Sequence, residues 1–356
     1  MTENHQDRQQ ASSGFHQLTV KNVAIETSQS KSFVLAPRRN ELHLFRYQPG
    51  QFLTFQIPLS TGLIERSYSI SSAPSFDPDL TICVKRVKNG RGSNWSNDQL
   101  KIGTTIRSRV PAGRFTLDDK QSDLLIIAGG SGITPCISLI KHTLFETSRK
   151  VKLVYANQNS QSIIYLNVLN LLQKRFPDRF ECVHWLDDKN GLMGPKDIIS
   201  GAYGYDNASC YICGPALLMD MAQDVLMDSF GSTLNIKTER FISPEDETLD
   251  SEIQDSNEFA GTEFLTEFRL QFEGNVHTVK LAAGQTLLQA ALAGDLDIPR
   301  SCTEGHCGTC IAKLCNGQVS MTSTKALSKR NIERGHILLC QSHPGSDNPL
   351  FVNLDF

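Results

Sequence analysis

The chain is 356 residues long, 39% hydrophobic and 21% charged, with 35 Lys and Arg against 38 Asp and Glu for a net charge of −3. That length suits two or three domains, and the near balance of charge argues against a nucleic-acid-binding surface. No apolar run approaches the roughly 18 residues of a membrane span. Ten cysteines without an export leader point to a reducing compartment, the cytoplasm, where cysteines serve as ligands or core fillers.

Residues 1–14 are polar, lack an apolar stretch and read as a disordered tail. Across 15–117, short alternating runs such as Leu18/Val20, Phe52/Phe55 and Leu80/Ile82/Val84 are separated by turn residues, which predicts an antiparallel β-barrel. The pattern changes across 118–242. Leu124–Ala128 is a continuous apolar run followed by glycines and a helical stretch, and Val151–Tyr155 and Tyr211–Cys213 are further buried-strand candidates. This is the βαβ order of an α/β domain with a parallel sheet. Residues 243–265 read as a solvated linker, with eight acidic and no basic residues between Ser243 and Glu263. A last domain, 266–356, opens with Phe268, Leu270 and Phe272 alternating as in a strand, and Glu273–Asn275 turns the chain. Residues 284–292 then predict a helix with Leu288, Ala291 and Leu292 on one face.

Three segments carry chemistry. Arg66-Ser67-Tyr68-Ser69 follows a Pro49-Gly-Gln-Phe52 strand start. A guanidinium can hold a phosphate by paired hydrogen bonds, and a tyrosine offers a flat face with a hydroxyl. Alone, the run could also be an ordinary strand with an exposed Arg. Gly129, Gly130 and Gly132, followed by Thr134 and Pro135, sit between a buried strand and a helix. Glycines allow close backbone approach there, and amides at a helix start favour a pyrophosphate, although the spacing is not G-x-G-x-x-G. A plain strand–turn–helix junction is the alternative. Cys302, Cys307 and Cys310 are spaced C-x4-C-x2-C, with Cys340 further on, which is the plant-type ligand set for a 2Fe–2S cluster. Gly305 and Gly308 let the backbone curl around sulfide. Structural zinc usually takes two C-x2-C or C-x2-H pairs, and disulfides need an oxidising compartment. Cys210 and Cys315 read as core fillers, and His306 as an exposed loop residue rather than a ligand.

Arg66-Ser-Tyr-Ser-Ile-Ser71 matches the R-x-Y-S-x-S signature, and with the Gly129–Pro135 loop the chain resembles the ferredoxin–NADP reductase superfamily. Its last domain resembles a plant-type ferredoxin with the α+β β-grasp fold. The order of the three modules resembles oxygenase reductases such as those of phenylacetyl-CoA epoxidase and ketosteroid 9α-hydroxylase, and also hybrid-cluster-protein reductase. The resemblance implies that Arg66, Ser67, Tyr68 and Ser69 bind a flavin, Ser69 beside its N5. Gly90, Gly92 and Ser93 would cradle a pyrophosphate, favouring FAD over FMN, unless they form a simple Gly-rich hairpin. Gly129, Gly130, Gly132, Thr134, Cys213, Gly214 and Pro215 would bind the nicotinamide nucleotide, with Cys213 near the hydride-bearing carbon. Phe241, in Glu239-Arg-Phe241, would cover the flavin or simply line a domain interface. Asn157-Gln-Asn-Ser160 has no basic residue for a 2′-phosphate, which favours NADH over NADPH.

The modules then imply that electrons pass from NADH through FAD and the cluster to an outside acceptor. That acceptor would be a terminal oxygenase, hydroxylase or desaturase, touching the ferredoxin near Glu304 and His306. A non-oxygenase acceptor such as a hybrid-cluster protein is the second expectation. A redox-sensing regulatory module is a third, from another class, but no effector or DNA-binding segment accompanies it.

Overall fold

The computed structural model describes residues 14–355 except 75, 119, 232–233, 242–265, 297, 301–304, 306–307, 328 and 346–348, together with the side chains of 266 and 329. Residues 1–13 of the expected tail and the expected linker lie outside the described residues. The chain forms two units, 1–241 and 242–356.

In the first unit, alternating residues build β1 (His16–Thr27), β2 (Ser30–Pro37), β3 (Phe52–Leu59), β4 (Gly62–Ser69), β5 (Leu80–Lys85) and β6 (Thr105–Ser108). They pair antiparallel in the order β4–β3–β6–β1–β2–β5, and a bridge from Ile70, just past β4, to Ile82 of β5 joins the two ends. Leu18, Phe33, Leu53, Phe55, Ile57, Ile70 and Ile82 fill the barrel. Helix α1 (Arg91–Gln99) packs on β3 and β5. Gly50 (φ +89) lets the Pro49–Phe52 turn press on the backbone of Phe115, whose carbonyl oxygen would stand 2.0 Å from any Cβ there.

The second half of this unit is a parallel sheet of β7 (Leu124–Gly129), β8 (Val151–Asn157), β9 (Phe180–Leu186), β10 (Ser209–Gly214) and β11 (Asn235–Arg240), ordered β11–β10–β7–β8–β9. β7 and β10 are buried along their length, as continuous apolar strands covered on both faces must be. Helices α2 (Ile133–Glu146) and α3 (Leu166–Arg175) cover one face. A one-turn α4 (Asp187–Asn190) follows β9, and α5 (Pro195–Ala202) and α6 (Ala216–Phe230) cover the other face. Cys210 packs with α5 and α6 while Cys213 packs with α2, so the two lie on opposite faces, as their offset of three requires. The barrel and sheet meet through Phe115 and Tyr211, ring centroids 5.4 Å apart and edge-on.

The second unit is a mixed sheet in the order β13–β12–β18–β14–β16, built from β12 (Thr266–Phe272), β13 (Asn275–Leu281), β14 (Ile311–Asn316), β16 (His336–Leu338) and β18 (Leu350–Asn353). β12 runs parallel to β18 and antiparallel to β13. β15 (Val319–Met321) pairs with β17 (Ser342–Pro344), and helices α7 (Leu287–Ala293) and α8 (Lys329–Glu333) complete the β-grasp. Glu273 (φ 52) and Gly274 (φ 74) form the two-residue turn between β12 and β13, both in the left-handed region that a type I′ hairpin demands.

Two expectations need correction. The helix begins at Leu287 because Thr286 caps it: its hydroxyl accepts from Gln289 N at 3.2 Å while the Gln289 side chain accepts from Thr286 N at 2.9 Å. The buried face is Leu287, Leu288, Ala290 and Ala291, with Leu292 only half-buried. Cys315 is exposed rather than a core filler, since alternation along β14 turns Ala312 and Leu314 towards the core and Lys313 and Cys315 outward. Among the described residues no helix is long and apolar enough to cross a membrane.

Candidate functional site

At the barrel mouth, β4 delivers Arg66, Ser67, Tyr68 and Ser69 opposite Phe55, Thr54, Leu53 and Phe52 of β3. Ser67 Oγ lies 3.0 Å from Thr54 Oγ1, and the Tyr68 ring leans on Phe55 at 5.9 Å. Burial pushes the Tyr68 hydroxyl up to about 12, so it stays a neutral donor. Gly90 caps α1, and Ser93 Oγ accepts from Val87 N at 3.2 Å, tightening the turn. A Cβ on Gly92 would stand 2.8 Å from Arg66 Cγ and 3.4 Å from Tyr68 Oη. The Arg-Tyr strand and the glycine turn therefore meet at one corner of the barrel. A guanidinium, a flat ring and a helix start converging there fit a flavin with a pyrophosphate.

The nucleotide loop leaves β7 and enters α2, and the Cys213–Pro215 loop leaves β10 beside it. Both lie at the carboxyl ends of a parallel sheet, where such sheets bind ligands. Their backbones touch: a Cβ on Gly132 would stand 2.0 Å from Cys213 O, one on Gly129 2.6 Å from Pro215 Cδ, and one on Gly214 2.8 Å from Gly129 N. Gly130 takes φ +51, and its carbonyl accepts from the Tyr155 hydroxyl at 2.8 Å. No side chain caps α2. Thr134 is buried, its hydroxyl donating to Ser131 O at 2.9 Å, so it locks the loop's own shape. The Cys213 thiol is fully buried, and burial, with Cys136 and Glu239 nearby, pushes it well above its usual range. It is a neutral, compact wall rather than a nucleophile. Beyond β8, the Asn159 side chain is spent on capping the turn at Ser160–Ser162, accepting from Ser162 N at 3.1 Å.

Two residues outside the sequence-level set join this site. Ser69 Oγ donates to Glu239 Oε2 at 3.0 Å, and Glu239 sits on β11 in register with Cys213 of β10. Its signal was the acid two places before Phe241. Lys85, ending β5, brings Nζ to 3.3 Å from where a Gly130 Cβ would stand, and burial lowers its pKa. A half-buried cation over that loop suits a phosphate-bearing ligand; its signal was the Val-Lys-Arg that ends the strand. Phe241 packs half-buried against the cluster holding Cys213 and Cys83.

In the second unit, Cys310 ends the loop before β14 and Cys340 follows β16. The pairing of those strands sets them side by side, with Leu339 N donating to Cys310 O at 3.0 Å. Both are buried, and Gln341 Nε2 donates towards Cys340 Sγ at 3.5 Å. Gly305 (φ +77) and Gly308 (φ +68) bend the loop, and Ala326 N donates to Gly305 O at 3.1 Å. Two buried cysteines at the ends of paired strands, one sulfur met by an amide donor, beside a loop bent at two left-handed glycines fit a 2Fe–2S cluster. Cys302, Cys307, Glu304 and His306 lie outside the described residues.

Residues 16–117 match the oxidoreductase FAD-binding domain family, 126–224 the oxidoreductase NAD-binding domain family, and 270–345 the 2Fe-2S iron-sulfur cluster binding domain family. The ferredoxin reductase component of 3-ketosteroid-9-alpha-monooxygenase from Rhodococcus rhodochrous is 36% identical over 334 residues, covering 93% of this chain and 95% of its own. One subunit of 1,2-phenylacetyl-CoA epoxidase from Escherichia coli (strain K12) is 29% identical over 358 residues, covering 93% and 95%. Among solved structures, phthalate dioxygenase reductase shares the fold with a TM-score of 0.57 at 22% identity, covering 97% of this chain and 99% of that one.

Proposed function

Because the chain belongs to the family of ferredoxin reductase components of oxygenases, we propose that it draws electrons from NADH and hands them singly to a separate terminal oxygenase. When bound, FAD accepts a hydride from NADH and releases electrons one at a time to the 2Fe–2S cluster. The bond from Ser69 to Glu239 carries the reading, because it joins the R-x-Y-S strand of the barrel to the strand beside Cys213–Pro215.

In this reading residues 15–117, 118–242 and 266–356 are the flavin, nucleotide and ferredoxin domains. Arg66 and the Gly90–Ser93 turn hold the FAD phosphates, with Ser67 shaping the strand and Tyr68 against the ring system. Ser69, held by Glu239, presents a hydroxyl at the reacting edge. Gly129, Gly130 and Gly132 admit the NADH pyrophosphate to the backbone, with Thr134 fixing the loop, while Cys213, Gly214 and Pro215 wall the nicotinamide. Phe241 covers the flavin face. Cys302, Cys307, Cys310 and Cys340 ligate the iron, and the acceptor docks beside that loop. The protein works in the reducing cytoplasm, where these thiols remain available to iron.

Anaerobic titration of the purified holoprotein with NADH tests this. Flavin bands and a cluster shoulder should both bleach. A protein with one chromophore, or one left oxidised by NADH, would sink the proposal.

A further inference from the structure

Tyr165 is the residue before α3, and its backbone is left-handed, at φ 62 and ψ 23. The other described non-glycine residues with positive φ are Asn89, Glu273 and Asp295. Two of these are types that tolerate the conformation, and Glu273 belongs to a hairpin turn. A buried aromatic has no such excuse, and strain of this kind persists only where its surroundings over-determine it. Tyr165 is 7% exposed, and its ring packs in the cluster that holds Cys83 and Tyr155. Its hydroxyl donates to Ser71 Oγ at 2.8 Å and lies 3.0 Å from Ser32 Oγ, both in the barrel half of the unit.

Ser71 is two residues beyond Ser69. The stretch after β4 is tied to the nucleotide sheet at successive points. Ser69 reaches Glu239 of β11 at 3.0 Å, Ser71 is reached by Tyr165, Ser72 O accepts from Ser138 of α2 at 2.6 Å, and Asp77 pairs with Lys141 of α2 at 2.9 Å. Helix α2 begins at the glycine loop. The strand that carries the flavin motif is thus bolted directly to the elements that carry the nucleotide loops. On the function proposed above, the two reacting rings ride on different halves, and the distance between them is whatever these ties impose. Hydride transfer needs an approach of about 3–3.5 Å, and about 1 Å of misplacement costs about a hundredfold.

We propose that Tyr165 is a positioning residue for hydride transfer, its buried hydroxyl holding the nucleotide sheet in register with the flavin strand through Ser71. It touches neither ligand. It acts by removing slack between the halves, which explains why a strained aromatic stands where glycine would be easier.

Tyr165→Phe keeps the ring and deletes the tie. Ser71 still donates to Thr81 O at 3.2 Å and Ser32 to Glu26 Oε1 at 2.6 Å, so neither serine is orphaned. Stopped-flow reduction of the holoprotein at saturating NADH should slow about tenfold, with affinity for non-reacting NAD+ held within about twofold. Amide exchange should rise at 71–72 and 166–169 but not in β1 or β3. Ser71→Ala should behave alike from the barrel side, and the double variant should be no slower than the slower single, because both remove one bond. Should Tyr165→Phe fail to fold, Ser71→Ala carries the same test. A wild-type reduction rate in the variants, a loss confined to affinity, or multiplying losses in the double variant would overturn the proposal. If NADH leaves even the wild type oxidised, the function fails instead. Exchange then judges the tie alone, and unchanged protection rejects it.

Discussion

Gly132→Ala separates steric design from backbone preference. Gly132 has φ −61 and ψ −11, a conformation open to any residue, so alanine brings no strain of its own. The new Cβ would stand 2.0 Å from Cys213 O and 2.3 Å from Cys213 C, where ordinary contact begins at 3.4 Å. The two loops must therefore part by about 1.4 Å, the difference between 3.4 and 2.0. Both partners are backbone, so no rotamer change relieves the clash. Overpacking of this kind costs about 1–3 kcal/mol, which for a unit of this size lowers Tm by about 2–12 °C. A separation beyond 1 Å at the nicotinamide site should slow NADH-driven flavin reduction about a hundredfold. Gly130→Ala is the contrast. It forces alanine into φ +51, costing about 1–2 kcal/mol, but its nearest neighbour is the flexible end of Lys85 at 3.3 Å, so the loops need not part. Differential scanning fluorimetry and anaerobic stopped flow read both effects. Wild-type melting and reduction in Gly132→Ala, or a slower Gly130→Ala, would refute the reasoning.

Cys340→Ser should abolish cytochrome c reduction through the cluster while sparing ferricyanide reduction at the flavin; if both persist, Cys340 is not a ligand. Acid stability should depend on Asp118. Burial pushes this carboxyl up, but hydrogen bonds from Ser209 and Asn235 and the charges of Arg149 and Lys237 outweigh it and hold it below the usual range. The unfolded carboxyl takes up a proton near pH 4 and the folded one only lower, so the stability it contributes is complete above about pH 4 and is lost as pH falls through its folded pKa. Melting temperature should drop more steeply below that point in the wild type than in Asp118→Asn, and parallel curves would exclude the linkage.

The elements legible in the sequence are those whose pattern has one physical solution. The β12–β13 hairpin was readable because Glu273-Gly274 admits few turns between alternating apolar residues, and β7 because Leu124–Ala128 is apolar on both faces. Gly129 and Gly132 were readable because only an absent side chain lets the two loops meet at Cys213–Pro215, and Gly130 because its φ of +51 favours glycine. The α7 boundary was not, since Gly284–Leu292 is periodic throughout and only the reciprocal Thr286–Gln289 cap decides where it starts. Cys315 was misread because residue type was weighed ahead of phase: it alternates with Leu314 and shares the outward face of Lys313.

Glu239 and Lys85 fall between these cases. Glu239 stood inside a recognised segment and Lys85 just past the alternating run that ends at Val84, yet the part of each appears only when β11 and β5 are brought to Ser69 and Gly130. The tie from Tyr165 to Ser71 lies furthest from the sequence, spanning 94 positions, with the last serine of the R-x-Y-S-x-S run at one end and no motif at the other. A motif marks where a ligand meets the backbone, because that contact constrains residue type over a few neighbouring positions. The spacing between two ligands is set by side chains that touch neither, and many residue pairs could supply it. Recognisable residues therefore say which reactants bind, while their separation is carried by residues such as Tyr165, which only the fold reveals.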